Sequence, residues 1–278
     1  MYKEFFQYRD IYSRDDYPYG QIAIARDFAL VAIDGRVIKI SSEGEHELQM
    51  PGYPIKLAAG FDGYMALQRN GNVYTGGRAR EFERYRDVQS LRSVYDIVAC
   101  EGHTAGILDN GDLFCFDEPG GWEGVPQLEK VVTAWQGKGI RKLAIGFSNV
   151  MGLTQNGNVF YYGLDGFTDN HFYDTARNVT EIDAYSHYYG DNYSMALLRD
   201  GRVITDSFDG TDTWENIIHI SVGADIAIGL KVDGTIFMVD NRGTRTDALN
   251  WRNLIAVECK FFSVIGITSD GEILKVLG

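Results

Sequence analysis

The stretch Ala66-Leu67-Gln68-Arg69-Asn70-Gly71-Asn72-Val73-Tyr74 joins two apolar runs through an Asn-Gly pair, and the same arrangement returns along the chain. Seven Asn-Gly or Asp-Gly pairs place their glycines at Gly35, Gly71, Gly111, Gly157, Gly201, Gly234 and Gly271, at intervals of 36, 40, 46, 44, 33 and 37 residues. Such dipeptides suit positive φ angles, so each pair is read as a tight type I′ hairpin between two strands. Four to five residues before the glycine stands a small residue followed by an aliphatic one: Ala66-Leu67, Gly106-Ile107, Gly152-Leu153, Ala196-Leu197, Gly229-Leu230 and Gly266-Ile267. The first repeat departs, with Leu30-Val31. Beyond the glycine come Val37-Ile38, Val73-Tyr74, Leu113-Phe114, Val159-Phe160, Val203-Ile204, Ile236-Phe237 and Ile273-Leu274, apolar at all fourteen positions.

Side chains alternate across a strand, so two adjacent apolar residues require both faces of the sheet to be covered. An antiparallel sheet stacked between two others meets that condition, which is the arrangement of a propeller blade. Seven repeats of about 40 residues therefore predict an all-β chain forming one closed seven-bladed β-propeller over residues 1–278, with repeats from 21 to 278. The small residue of each pair is expected where large side chains would crowd near the axis. Residues 1–20 precede the first hairpin, and their Tyr2, Phe5, Phe6 and Tyr8 are too aromatic for a disordered tail. This segment is expected to add outer strand structure to the seventh blade and so close the ring.

The chain carries 26 Lys and Arg against 39 Asp and Glu, a formal net charge of -13, and 45% of its residues are hydrophobic. Such a surface repels phosphate backbones and anionic headgroups, which argues against nucleic acid and membrane partners. No apolar run has the length of a signal peptide or spanning helix, so a cytoplasmic monomer is expected. Cys100, Cys115 and Cys259 form no CxxC pair and are read as small buried side chains. His46, His103, His171, His187 and His219 are scattered over different repeats without metal-ligand spacing.

No nucleophile elbow, phosphate loop or dinucleotide fingerprint occurs, so the expectation is a non-enzymatic chain without cofactor or metal. The acidic run Asp206, Asp209, Asp212 and Glu215 lacks the ligand order of a calcium loop and is read as solvated. The stretch from Arg78 to Arg92 mixes charges of both signs and is read the same way. The segment from Asp117 to Arg141, with Trp122 and Trp135, fills the longest interval and is a candidate binding loop.

Three segments resemble the repeat of the regulator-of-chromosome-condensation family: Leu57-Ala58-Ala59-Gly60 through Met65-Ala66-Leu67, Val98-Ala99-Cys100-Glu101-Gly102-His103-Thr104, and Leu143-Ala144-Ile145-Gly146 through Met151-Gly152-Leu153. That repeat reads aliphatic-x-x-Ala-x-Gly-x-x-His-Ser-x-Ala-Leu before a turn pair and an aliphatic-aromatic strand, and the resemblance covers residues 21–278. The family's Trp-Gly after the turn is represented by Tyr162-Gly163 in one blade, and its Gly-Gln-Leu-Gly segment is missing, so the chain resembles a divergent, bacterial-type member. The resemblance implies the propeller fold and a structural hydrogen bond for His103, which falls at the family's histidine position. Its relatives include nucleotide exchange factors for small GTPases and bacterial propellers that inhibit β-lactamase.

Aligning the hairpins places Phe61, Asp62, Glu101, His103, Phe147, Asp225, Phe261 and Phe262 in the short loop before the small-aliphatic pair, with His187, Tyr188 and Tyr189 inserted in the fifth repeat. Equivalent loops of a propeller emerge on one face, and aromatics among acids are what protein-binding surfaces concentrate. The other reading is that these rings tuck under neighbouring loops. The expected function is a non-enzymatic module or regulator that binds a protein through this face. Its alternatives are an exchange-factor-like regulator of a small GTPase or an enzyme inhibitor. An enzyme with its site in the axial channel comes last, since the channel positions read as small or apolar.

Overall fold

A computed structural model of the chain describes residues 21–60, 63–77, 88–100, 103–117, 128–163, 171–186, 191–240 and 250–277. Among them the fold is all-β apart from short helical pieces: seven antiparallel sheets in a multi-bladed, propeller-like arrangement, each built from strands consecutive in sequence. Sheet 1 has four strands, β1 (Gln21–Ile24), β2 (Phe28–Ile33), β3 (Arg36–Ser41) and β4 (Gly44–Leu48). The others have three. Sheets 2 and 3 comprise β5 (Pro54–Ala59), β6 (Gly63–Gln68) and β7 (Val73–Gly77), then β8 (Val94–Cys100), β9 (His103–Leu108) and β10 (Leu113–Asp117). Sheets 4 and 5 comprise β11 (Ile140–Ile145), β12 (Asn149–Thr154) and β13 (Val159–Gly163), then β14 (Val179–Ser186), β15 (Asn192–Leu198) and β16 (Val203–Ile204). Sheets 6 and 7 comprise β17 (Ile217–Gly223), β18 (Ile226–Lys231) and β19 (Ile236–Asp240), then β20 (Leu254–Lys260), β21 (Ser263–Thr268) and β22 (Ile273–Val276).

The first strands β1, β5, β8, β11, β14, β17 and β20 pack one against the next, and β20 also packs against β1. The second strands are buried almost throughout, as expected for sheets covered on both faces. On the third strands the first residue after the turn is buried in six sheets, from Val37 to Ile236, and half-buried at Ile273, while its neighbour is half-buried throughout. The last sheet thus has the weakest outer cover. The expected closing segment, residues 1–20, lies outside the described residues.

Six of the seven hairpins are not the two-residue type I′ turns expected from the dipeptides. In sheet 2 the Gly71 N–H donates to the Gln68 carbonyl and the Gln68 N–H to the Asn72 carbonyl, which is a three-residue loop with glycine alone at positive φ. The residue before the glycine is there for its side chain: the carboxyl or amide oxygens of Asn70, Asn110, Asp200 and Asp233 accept the N–H two residues on. Asp34-Gly35 alone is the expected tight turn, with φ of 50° and 76°. Being one residue shorter, it moves the alignment by one place, so Val31 pairs with Ile38 as Ala66 pairs with Tyr74. In this register Val31 and Ala32 stand where Ala66 and Leu67 do, so the first repeat still departs from the small-aliphatic order.

The glycine also joins neighbouring sheets. The carbonyls of Gly71, Gly157, Gly201 and Gly234 accept the N–H of Val94, Val179, Ile217 and Leu254, the first residue of the following sheet, at 2.9–3.2 Å. A Cβ on Gly71 would stand 2.9 Å from the Ser93 Cα, whereas one on Gly111 would meet nothing within 4 Å, although both residues have positive φ. Gly111→Ala is therefore expected to cost only left-handed strain, about 1–2 kcal/mol. Gly71→Ala should cost about 2–3 kcal/mol, because the next sheet must also be displaced. Urea midpoints of the two variants check this, and equal losses would show that the contact across the sheets contributes nothing.

At three of the six small residues a tryptophan ring takes the space of the missing side chain. A Cβ on Gly152 would stand 2.9 Å from the Trp135 ring, one on Gly229 2.8 Å from Trp214, and one on Gly266 3.1 Å from Trp251. Each tryptophan lies in the connection entering its sheet and lies against the middle strand. Trp214 stacks on Phe237 at 5.8 Å and 13°, and Trp135 lies 5.8 Å from Phe160. Trp135 ends helix α1 (Leu128–Trp135), whose Leu128, Val131 and Val132 are also buried, so this part of the long interval is packed against the core and Trp135 is not an exposed binding residue. The next residue, Gln136, pairs its side-chain amide with both the N–H and the carbonyl of Leu113, covering the β10 edge.

Candidate functional site

In sheets 2 to 7 a β-bulge interrupts the start of the first strand, between Pro54 and Lys56, Val94 and Asp96, Ile140 and Lys142, Val179 and Glu181, Ile217 and His219, and Leu254 and Ala256. A bulge bends its strand and re-aims the residue that follows. Five of the re-aimed residues are ionisable. Lys56 pairs with Asp96, whose other oxygen accepts the Leu143 N–H at 3.5 Å. Lys142 lies 3.0 Å from Glu181 Oε1, the same oxygen that His219 Nδ1 meets at 2.9 Å. His219 Nε2 faces the Val257 carbonyl at 3.0 Å and Glu258 Oε1 at 3.3 Å, and Ser221 donates to the second Glu258 oxygen at 2.7 Å.

Further along the same strands, Lys260 of sheet 7 reaches past sheet 6 to Asp183 of sheet 5. Its ammonium lies 2.8 and 2.7 Å from the two carboxylate oxygens and donates to the Val222 carbonyl at 2.9 Å. Asp183 also accepts the Val222 N–H at 2.7 Å. Burial disfavours charge on Lys260, but Asp183 and Glu258 together outweigh it and hold the ammonium above its ordinary pKa, while burial raises the pKa of the Asp183 carboxyl despite the lysine. For Glu258, burial pushes the carboxyl up, and His219 and Lys260 more than reverse that, leaving it below the usual carboxylate range.

This belt of Lys56, Asp96, Lys142, Glu181, Asp183, His219, Glu258 and Lys260 corrects the expectation that the inner positions are small or apolar. Small or apolar residues share this register at positions that include Ile22, Ile24, Ala58, Val98, Ala144 and Ala256. The belt is nevertheless unsuited to acid-base chemistry, because each charge already faces a partner. Among the described residues no three His, Cys, Asp or Glu side chains are grouped to hold a metal ion.

At the far end of the first strands, the loops leading to the second strands hold the residues expected to bind a partner. Phe61, Asp62, Glu101, His187, Tyr188 and Tyr189 lie outside the described residues. His103 and Phe147 are brought together and buried: His103 Nε2 contacts the Phe147 carbonyl at 3.1 Å, and the rings lie 5.8 Å apart. The hydrogen bond implied for His103 is there, and it spans sheets 3 and 4. The Phe147 N–H donates to the Ser186 carbonyl at 3.3 Å, Tyr193 donates to Asp225 at 2.5 Å, and the Ala224 N–H donates to the Phe261 carbonyl at 2.9 Å. These contacts continue the stitching from sheet 4 to sheet 7.

Phe261 meets Tyr185 edge-on at 5.6 Å, and it and the half-buried Phe262 pack on a cluster that includes Tyr185, Tyr193 and Phe208. Phe261 and Asp225 occupy equivalent turns at φ of 53° and 57°, a left-handed conformation that strains a bulky residue. Of the described aromatics, Phe147 is buried and Phe261 and Phe262 are half-buried against neighbouring side chains. Sequence alignment missed the polar staple beneath them. Ser186 donates to Asn149, Asn149 to the Tyr193 carbonyl, and Ser148 to Asn192, all within 3.2 Å. The polar run Ser148-Asn149 at the start of an otherwise apolar strand was its one visible sign.

The remaining expectations are placed as follows. Cys259 is buried, and burial pushes its thiol far above the usual range, while Cys100 and Cys115 are half-buried. In the acidic run, Asp206 accepts from Ser194 and Ser207, and a 3-10 turn follows at Thr211–Thr213. Among the described residues no helix is long and apolar enough to cross a membrane.

Comparison with solved structures adds the fold. The Arabidopsis thaliana receptor kinase ACR4 ectodomain, described as a CRINKLY WD40 ectodomain, is similar with a TM-score of 0.64 at 13% identity, over 92% of this chain and 94% of that one. Prp20p of Saccharomyces cerevisiae, the yeast RCC1, is similar with a TM-score of 0.52 at 16% identity, over 79% of this chain and 70% of that one. The chain distantly resembles RCC1- and WD40-type β-propeller proteins. A third such structure is YCF48 bound to a D1 peptide, with a TM-score of 0.52 at 10% identity, over 93% of this chain and 92% of that one. These likenesses carry the propeller fold and do not single out a bacterial-type RCC1 repeat family. No protein-family model matches the chain. No curated protein matches it by sequence.

Proposed function

We propose that the chain is a closed seven-bladed propeller, non-enzymatic, whose loop end binds a protein, and that this partner is a small GTPase on which it acts as an exchange-factor-like regulator. Closure is supported by the packing of β20 on β1, by the shared cluster of Ile22, Ile24, Ile265 and Ile267, and by the ion pair of Lys275 in β22 with Glu45 in β4. In this closed ring the cover of the half-buried Ile273, Leu274 and Val276 of β22 falls to the aromatic residues Tyr2, Phe5, Phe6 and Tyr8, which lie outside the described residues.

The observation that carries the binding reading is the contrast between the two ends of the sheets. At the hairpin end the exposed charges are of both signs, with Arg36, Arg69, Lys138, Arg199 and Arg202 interspersed among Asp34, Asp109, Asp112, Asp200, Asp233, Asp270 and Glu272. At the loop end, the exposed charges of the described loops include Asp27, Glu43, Asp191, Asp206 and Asp209 against Arg26, so one sign prevails. An acidic rim over rigid, stitched loops suits a partner with a basic surface and lowers the ordering cost of binding. The GTPase reading is supported by the RCC-like repeats and by the likeness to Prp20p, a protein whose binding to Gsp1p and histones was studied together with its structure.

The test is release of a fluorescent guanine nucleotide from purified small GTPases of the source organism, with and without the protein. The expected result is at least tenfold faster release from one of them, lost in the triple variant Asp27→Lys, Asp191→Lys, Asp209→Lys and kept in Arg36→Glu at the opposite end. Salt-sensitive binding without faster release would remove the exchange activity and leave the binding platform. Absence of any binding would remove both.

A further inference from the structure

The two ring nitrogens of His219 both face acceptors. Nδ1 meets Glu181 Oε1 at 2.9 Å and Nε2 meets the Val257 carbonyl at 3.0 Å, with Glu258 Oε1 at 3.3 Å. A carbonyl cannot donate, so Nε2 must carry a hydrogen. Glu181 is held as a carboxylate by Lys142 at 3.0 Å on the same oxygen and by the Ile220 N–H at 3.2 Å on the other, so Nδ1 must carry one too. A neutral imidazole has one N–H and satisfies only one of these contacts. The arrangement calls for the imidazolium.

We propose that His219 is held as an imidazolium through the neutral range and is a proton-dependent clasp joining sheets 5, 6 and 7, which loosens when the proton is lost. The residue sits on β17 between β14 and β20, and the charged groups around it are Glu181 and Asp183 on β14, Lys142 on β11, and Glu258 and Lys260 on β20. Of these, Lys142 and Lys260 are engaged by Glu181 and Asp183. Burial works against the charge on His219, but Glu181 and then Glu258 outweigh it and set its pKa well above the ordinary value. The contacts Tyr193–Asp225 and Ala224–Phe261 lie at the opposite end of the same three sheets, so the sheets that carry the proton also carry half of the stitched loop end.

The sign of the effect follows from linkage. Because the folded pKa is raised, the stabilisation is fully present below the unfolded value of about 6.5 and is lost as pH rises through the folded pKa. It follows that the wild-type protein should lose stability relative to a His219→Gln variant as the solution is made alkaline. The gap in melting temperature between the two should be widest near pH 6 and shrink by at least half by pH 9.5. In parallel, nitrogen-15 spectra of histidine-labelled wild-type protein should show one ring with both nitrogens protonated at pH 7.5, where an ordinary imidazole is about nine-tenths neutral.

A gap that does not change with pH would assign His219 a merely steric role and overturn the proposal. So would spectra in which every ring is neutral at pH 7.5, a result that stands even if the glutamine variant fails to fold.

Discussion

Lys260→Met is expected to lower the stability of the protein by about 3–5 kcal/mol, the cost of leaving one member of a buried ion pair without its partner. The Lys260 ammonium is held by both oxygens of Asp183 and by the carbonyls of Ala184 and Val222. Only 21% of the Lys260 side chain and 19% of Asp183 is accessible, which separates this pair from the exposed ion pairs that contribute less than about 1 kcal/mol. Removing the cation strands a carboxylate between three sheets. Removing both charges, in Lys260→Met with Asp183→Asn, should restore part of the loss, since the amide keeps its acceptor for the Val222 N–H and carries no charge. Urea unfolding at constant m-value measures both variants. A single-variant loss under about 1 kcal/mol would mean that water screens the pair.

Trp214→Ala should cost a similar amount, about 3–5 kcal/mol, as for other tryptophans cut from a core. Trp214 is buried, stacks on Phe237, and fills the space left by the missing side chain of Gly229. Gly229→Val attacks the same contact from the other side, because even its Cβ would stand 2.8 Å from the indole ring. The informative combination is Trp214→Leu with Gly229→Ala, which moves volume from the ring to the strand. The pair should be more stable than the sum of the single losses predicts, as expected for residues in contact. Strict additivity, read from the same denaturation curves, would show that the glycine is small for another reason.

The repeated sheets were legible in the residues because their signal is local. Gly71, Leu67 and Val73 lie within one hairpin, and the strand alternation that makes both faces apolar is visible in seven copies. What those glycines do between sheets was not. Asn70-Gly71 looks like a type I′ turn by composition, yet the asparagine serves through its side chain and the glycine through close approach to Ser93 in the next sheet. The tryptophans left a sign that alignment on the turns overlooked: Trp214-Glu215-Asn216-Ile217 and Trp251-Arg252-Asn253-Leu254 enter their sheets with the same spacing, and Asn216 and Asn253 both have positive φ.

The charged belt left less. Glu181 and Asp183 share β14 and Glu258 and Lys260 share β20, and their partners lie one or two repeats away, 38 residues for Glu181 and His219 and 77 for Asp183 and Lys260, so they become visible only when whole repeats are stacked. On an isolated strand each would be read as a solvent-facing position. The loop end was partly legible. The common turn that holds Asp225 and Phe261 was found, but the burial of His103 and Phe147 depends on contacts from the adjacent sheet, which one repeat cannot reveal.

Seven units of nearly the same shape raise the question of how each finds its proper place during folding, since repeated modules are prone to dock out of turn. The inner-strand pairings act as address labels. Glu181 accepts a cation from each side, Lys142 and His219, whereas Lys142 offered to Lys56, or Glu181 offered to Glu258, would set like charges together in a poorly solvated seam. Greasy faces make any two units adhere, and the sign of the charge at each seam tells the right neighbour from the wrong one.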